Sequence, residues 1–151
     1  MRTEKSLTCL SQIEQDNIRD ISLTIYYMDP NLFTLYPFDV DDIVINHEYK
    51  LVINDTRLKG HIDLLKQMGN ADLITIEPDD FMNVRIYYVF ENKKGENIFD
   101  VAMWGSSNSM YVNGLQVKVN DIFYDVLMLF LPDDLAEEVN KHRLYLNTQT
   151  E

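Results

Sequence analysis

Met110-Tyr111-Val112-Asn113-Gly114-Leu115-Gln116-Val117-Lys118-Val119 is the stretch that decides the fold. Asn-Gly is the preferred pair for a two-residue type I′ turn, because both central residues need a positive φ. The turn sets the register: Val112 opposes Leu115, and Met110 opposes Val117. Side chains alternate along a strand, so these four share one apolar face, which Val119 continues. Tyr111, Gln116 and Lys118 point the other way. A slip of one residue would send the polar set inward, so the register is well specified.

The pattern extends on both sides of this hairpin. In Asn83–Glu91, Val84, Ile86, Tyr88 and Phe90 alternate with Arg85, Tyr87 and Val89. Asn92–Asn97 is a polar loop with Gly95 at a left-handed position. Residues 98–104 return as a strand, with Phe99, Val101 and Met103 inward and Asp100 and Trp104 outward. Residues 105–108 turn into the hairpin. These strands form a four-stranded antiparallel meander with one apolar face. A helix follows near residues 121–131, capped by Asn120 or Asp121. Its Ile122, Phe123, Val126, Leu127 and Phe130 recur at helical spacing, and Pro132 ends it.

The first half of the chain adds strands to the meander. Residues 1–20 form a polar arm, with a short helix through Leu10, Ile13 and Ile18. Ile21–Met28 is a strand with Ile21, Leu23, Ile25 and Tyr27 on one face. Asp29-Pro30-Asn31 is a turn, and Leu32–Phe38 is an edge strand or an irregular packed segment, since Pro37 interrupts it. Asp39, Asp41 and Asp42 read as a solvated acidic loop, because the calcium-loop spacing and its Gly are missing. Ile43–Ile53 reads as one or two strands around Asn46-His47. Asn54 or Asp55 caps a helix over 55–69, with Leu58, Ile62, Leu65 and Met68 as its stripe and Gly69 as its C′ residue. Residues 73–76 form a strand and 77–80 an acidic turn. Leu135 and Val139 lie on a short acidic helix, and residues 146–151 are a polar tail. The expected architecture is one α+β domain over 21–145, an antiparallel sheet packed on one face by two or three short helices.

Charge limits the functions this chain can have. The 151 residues carry 13 Lys and Arg against 25 Asp and Glu, a net charge of −12. Nucleic acid and anionic membranes are recognised through Lys and Arg, so this balance argues against both. It suits a basic protein partner, and equally a role in plain solubility. Cys9 is the only cysteine, which excludes an intramolecular disulfide. No leader or membrane span is evident, so a cytoplasmic protein is expected, with an exported form that has lost its leader as the alternative.

The usual catalytic and metal signatures are missing. His47, His61 and His142 have no metal-ligand spacing, and each suits a surface or capping role. Cys9 would need its arm to carry the thiol to a base. Ser106, Ser107 and Ser109 lack a strand–Ser–helix elbow. The acidic pairs 79–80, 133–134 and 137–138 fall in turns or on helix surfaces, where solvated charge accounts for them. No catalytic residue, metal or cofactor is expected.

The outer face of the meander collects Arg85, Tyr87, Asp100, Trp104, Tyr111, Gln116 and Lys118. Tyr, Trp and Arg dominate interface hot spots. Either a second layer covers this face, or it binds a partner. The binding reading assigns Arg85, Tyr87, Asp100, Trp104 and Tyr111 to the contact, with Asp79 and Asp80 beside them. In size and charge the chain is similar in kind to small acidic immunity and inhibitor proteins, though no motif carries the likeness. The expected function is a non-enzymatic module that docks a basic protein. The alternative is a small-ligand domain with a pocket lined by Tyr88, Phe90, Phe99 and Phe123.

Overall fold

A computed structural model describes residues 18–29, 34, 36–77, 83–103 and 109–149. After a 3-10 turn at Ile18–Asp20, the elements run β1 (Ser22–Tyr27), α1 (Val40–Asn46), β2 (Tyr49–Ile53), α2 (Asp55–Lys59) and α3 (Ile62–Gly69). They continue through β3 (Ile86–Glu91), β4 (Asn97–Met103), β5 (Ser109–Val112), β6 (Leu115–Lys118), α4 (Asp121–Met128) and α5 (Asp133–Gln149). The strands form one six-stranded antiparallel sheet in the order β2-β1-β3-β4-β5-β6. The fold is α+β.

The hairpin has the expected register, with Met110 opposite Val117 and Val112 opposite Leu115. Asn113 and Gly114 hold φ of 51° and 79°, the positive values a type I′ turn requires. The Asn113 N–H donates to Asp100 O at 2.9 Å, and Asn113 Oδ1 accepts from the Asp100 N–H at 2.8 Å. The turn is thereby tied to β4. Gly95 takes the left-handed position in the 92–97 loop, with φ of 80°.

One face of the sheet carries the larger core. Leu23, Ile25 and Tyr27 of β1, Ile86, Tyr88 and Phe90 of β3, and Phe99, Val101 and Met103 of β4 all face this way. Helices α2 to α5 close over them with Leu58, Leu65, Met68, Phe123, Val126, Leu127, Leu135 and Val139. The Tyr88 hydroxyl donates to Phe123 O at 2.9 Å, which satisfies a fully buried polar group. Asn120 caps α4 by accepting from the Ile122 N–H. A fully buried apolar side chain contributes about 1.5–3 kcal/mol, so this face holds most of the driving force for folding.

Several expectations need correction. Residues 39–46 are neither an acidic loop nor a strand. Asp39 caps α1: its carboxylate accepts from the Asp42 N–H at 2.9 Å, and the Asp42 carboxylate accepts from the Asp39 N–H at 3.0 Å. This reciprocal box satisfies two helix-end donors. The 55–69 helix is two helices, broken where Gly60 caps α2 and the chain turns at His61. Gly69 lies inside α3, and Asn70 follows as the cap. Residues 73–76 make a single bridge, Thr75 to Val117, in place of a strand. Val84 precedes β3 and packs on the opposite face from Ile86. Helix α5 continues to Gln149, through the expected tail. Of 32–38, the described residues form no strand, and Phe38 is buried. The helix expected near Leu10 and Ile13 lies outside the described residues.

Candidate functional site

The outer face is organised by one cross-strand row. Lys50 opposes Tyr26, Tyr26 opposes Tyr87, Tyr87 opposes Ala102, Ala102 opposes Tyr111, and Tyr111 opposes Gln116. The row crosses all six strands. Tyr26 and Tyr87 stack with ring centroids 6.0 Å apart, as expected for directly opposed aromatics. The Tyr87 hydroxyl reaches along β4 to donate to Asp100 Oδ2 at 2.8 Å. Asn97 Nδ2 donates to the same oxygen at 2.7 Å. Burial, then the Asp100 charge and hydrogen bond, hold the Tyr87 phenol well above its ordinary pKa.

Arg85, Tyr87, Asp100 and Tyr111 therefore do share a face, and a second layer covers most of it. Val40, Ile43 and Val44 of α1 pack against the sheet with Phe38 and Met28. Their spacing of three and four is that of one helical face. Arg85, Tyr87 and Tyr111 are left only 5%, 6% and 8% exposed, and Asp100 is half-buried. Arg85 lies against the Phe38 ring, its guanidinium carbon 5.7 Å from the centroid. Its Nη1 donates to Asn83 Oδ1 at 2.6 Å and to Val84 O at 3.0 Å. Burial lowers its pKa from an ordinary value far above neutrality. Gln116 is buried and Lys118 exposed. Asp79, Asp80 and Trp104 lie outside the described residues.

Exposed apolar side chains lie elsewhere, on both faces of the sheet edge, and the sequence reading missed them. Ile45 on the outward side of α1 is 77% exposed, Val52 63% and Tyr49 50%. Val52 and Tyr49 belong to β2, the strand that ends the sheet. A strand ending at Ile53 was legible in the sequence. Its place at the edge was not, because that depends on β1 pairing with β3 on its other side.

Carboxylates gather where β1 ends and β2 begins. The Asp29 N–H donates to Glu48 Oε1 at 2.7 Å. Glu138 of α5 approaches from the helical side. Burial, and then the charges of Asp29 and Glu48, push its carboxyl up, while the nearby Tyr27 hydroxyl acts in the opposite sense. That hydroxyl lies close to Glu138 without the geometry of a full hydrogen bond. Burial, first, and these acids hold the Tyr27 phenol far above its ordinary value.

Of the residues weighed for chemistry, His47 and His61 pack against aromatic rings. His47 Nδ1 lies 3.0 Å from Val44 O, and the ring meets Tyr26 edge-on at 5.3 Å. His61 starts α3 and packs edge-on against Phe130 at 5.4 Å. Cys9, the His142 side chain and Ser106–Ser107 lie outside the described residues. Among the described residues no group of three or more His, Cys, Asp or Glu side chains could hold a metal ion. Tyr88, Phe90, Phe99 and Phe123 pack on one another at centroid distances of 6.2, 6.3 and 6.4 Å, each fully buried. They fill the space between sheet and helices. An open groove of about 680 Å³ lies on the outside of α3, between Lys59 and Leu129. No described helix is long and apolar enough to cross a membrane. No known family, curated protein or solved structure matches the chain.

Proposed function

We propose that this protein is a non-enzymatic binding module of the inhibitor or immunity type, which docks a basic partner protein. The observation that carries the reading is where the charge lies. No described Asp or Glu is buried, while one cation, Arg85, is folded into the interior. The described carboxylates are thus displayed outward, and in a chain of net charge −12 they would raise the encounter rate with a basic surface. Exposed Ile45 and Val52 supply apolar area that such a contact would bury, with Tyr49 exposed on the opposite face of β2. With Arg85, Tyr87 and Tyr111 roofed by α1, the acidic surface and these three side chains take over the role that the sequence reading gave to the outer face. Asp79, Asp80 and Trp104 stay within the proposal on sequence grounds.

The test is an affinity pull-down from native extract at low and high salt, followed by kinetics on the captured partner. The captured protein should be basic. Its association rate should fall with added salt, because exposed charges are screened over about 10 Å at 0.1 M. An acidic partner, or one whose association rate ignores salt, would sink the reading.

A further inference from the structure

The two edges of the sheet differ. Beyond β6 runs the 74–76 segment: Lys118 N–H donates to Ile74 O at 2.9 Å, and Ile76 N–H to Gln116 O at 3.3 Å. Beyond β2, no described residue pairs. The hydrogen-bond alternation tells which groups of β2 face outward. Met28 N–H donates to Arg85 O at 2.8 Å, next to the Tyr27–Ile86 pair. In an antiparallel ladder this makes Tyr27 and Ile86 a non-hydrogen-bonded pair, so the N–H and C=O of Tyr27, Ile25 and Leu23 turn away from β3, toward β2. Their partners Tyr49, Leu51 and Ile53 answer them. The N–H and C=O of Lys50 and Val52 are left on the outer edge, four backbone groups in strand geometry.

Edge strands usually carry a blocking charge. Lys50 has the right residue type, but its Nζ lies 5.6 Å from the Tyr26 ring centroid. The ammonium is folded back over the sheet face. What flanks the edge is acidic: Glu48 and Asp29 before Tyr49, and Asp55 after Ile53. Arg57, the next cation along the chain, sits over the Phe130 ring at 5.5 Å.

We propose that β2 is a docking strand that takes an extended basic segment of a partner protein as a seventh strand. Main-chain bonds to Lys50 and Val52 would hold it, its apolar residues would cover Val52 on the outer face, and its Lys or Arg residues, on the other face beside Tyr49, would meet Glu48, Asp29 and Asp55. A second copy of this chain is the poorer occupant, since two chains of −12 repel. The inference rests on the basic-partner reading and adds a place and a mode to it.

Three synthetic peptides test it by fluorescence anisotropy against the full chain: one alternating Val and Lys, the same peptide N-methylated at alternate amides, and one with Glu for Lys. The Val/Lys peptide should bind, and the N-methylated and Glu peptides at least tenfold more weakly. Val52→Pro should weaken the Val/Lys peptide similarly with circular dichroism unchanged, because Pro there removes an outward donor and no β1–β2 bond. Should that variant unfold, amide shifts of Lys50 and Val52 on titrating the native chain give the same readout, and shifts elsewhere alone would overturn the proposal. Equal binding of the parent and N-methylated peptides would overturn the docking strand and leave the basic-partner reading intact. Equal binding of the Glu and Lys peptides would overturn both. Binding of none, or a concentration-dependent dimer abolished by Val52→Pro, would overturn the docking strand.

Discussion

Gly114 is where a single side chain is tested most cleanly. A Cβ at this position would meet no heavy atom within 4 Å, so there is no steric objection to a larger residue. The objection is the backbone: φ is 79°, a region costly for β-branched residues. Gly114→Val should therefore lower stability by about 1 kcal/mol or more, read as a fall in thermal midpoint, and an unchanged midpoint would mean the turn can change type. This position was legible because Asn-Gly carries its own conformational demand. Arg85 was not. The alternation places it on the outer face correctly, but its burial comes from Phe38 and Asn83, one of them nearly fifty residues away in sequence. Only tertiary contact could show that a cation here faces an aromatic ring and not solvent.

Among the elements, α1 was misread and has the largest effect on the site. Its signals were present in the sequence, in the spacing of Val40, Ile43 and Val44 and in an acid three residues after Asp39. Two turns of helix with β-branched residues resemble a strand in propensity, and the acids drew the reading toward a loop. The capping box decides between them. Asp39→Ala should cost about 1 kcal/mol and speed hydrogen exchange in residues 40–46, since a helix of seven residues has little else to hold its first turn. Unchanged exchange there would show that packing of Ile43 alone holds α1. The meander was read well for the opposite reason: its strands pair with their sequence neighbours, so local pattern and tertiary partner agree.

Across the whole molecule, the acids at the end of β1 couple three distant parts of the chain. Glu138 from α5 faces Tyr27 and Asp29 at the end of β1 and Glu48 before β2. Its carboxyl is raised above the ordinary 4.5, so in the window just above that value the folded state holds more protons than the unfolded one. Stability attributable to this group is then present at low pH and lost as pH rises through its folded pKa. Glu138→Gln removes the charge and keeps the shape. It should raise the thermal midpoint at neutral pH, with the gain shrinking as pH falls toward 4.5. A lower midpoint at neutral pH would show that the ionised carboxylate is favourable there.

The strand order also constrains events during synthesis. β1 lies between β2 and β3, and Tyr27 finds Ile86 across 59 positions of chain. At about 5–20 residues per second, the ribosome needs roughly 3 to 12 s to deliver β3 after β1 has been made. Until then the first half of the chain can form only a two-stranded ribbon, which is marginal in water by itself. The nascent chain is therefore vulnerable in a definite interval, between the appearance of Tyr27 and that of Glu91. In that interval the inner edge of β1 is as open as the outer edge of β2, and a holding chaperone would find its substrate there.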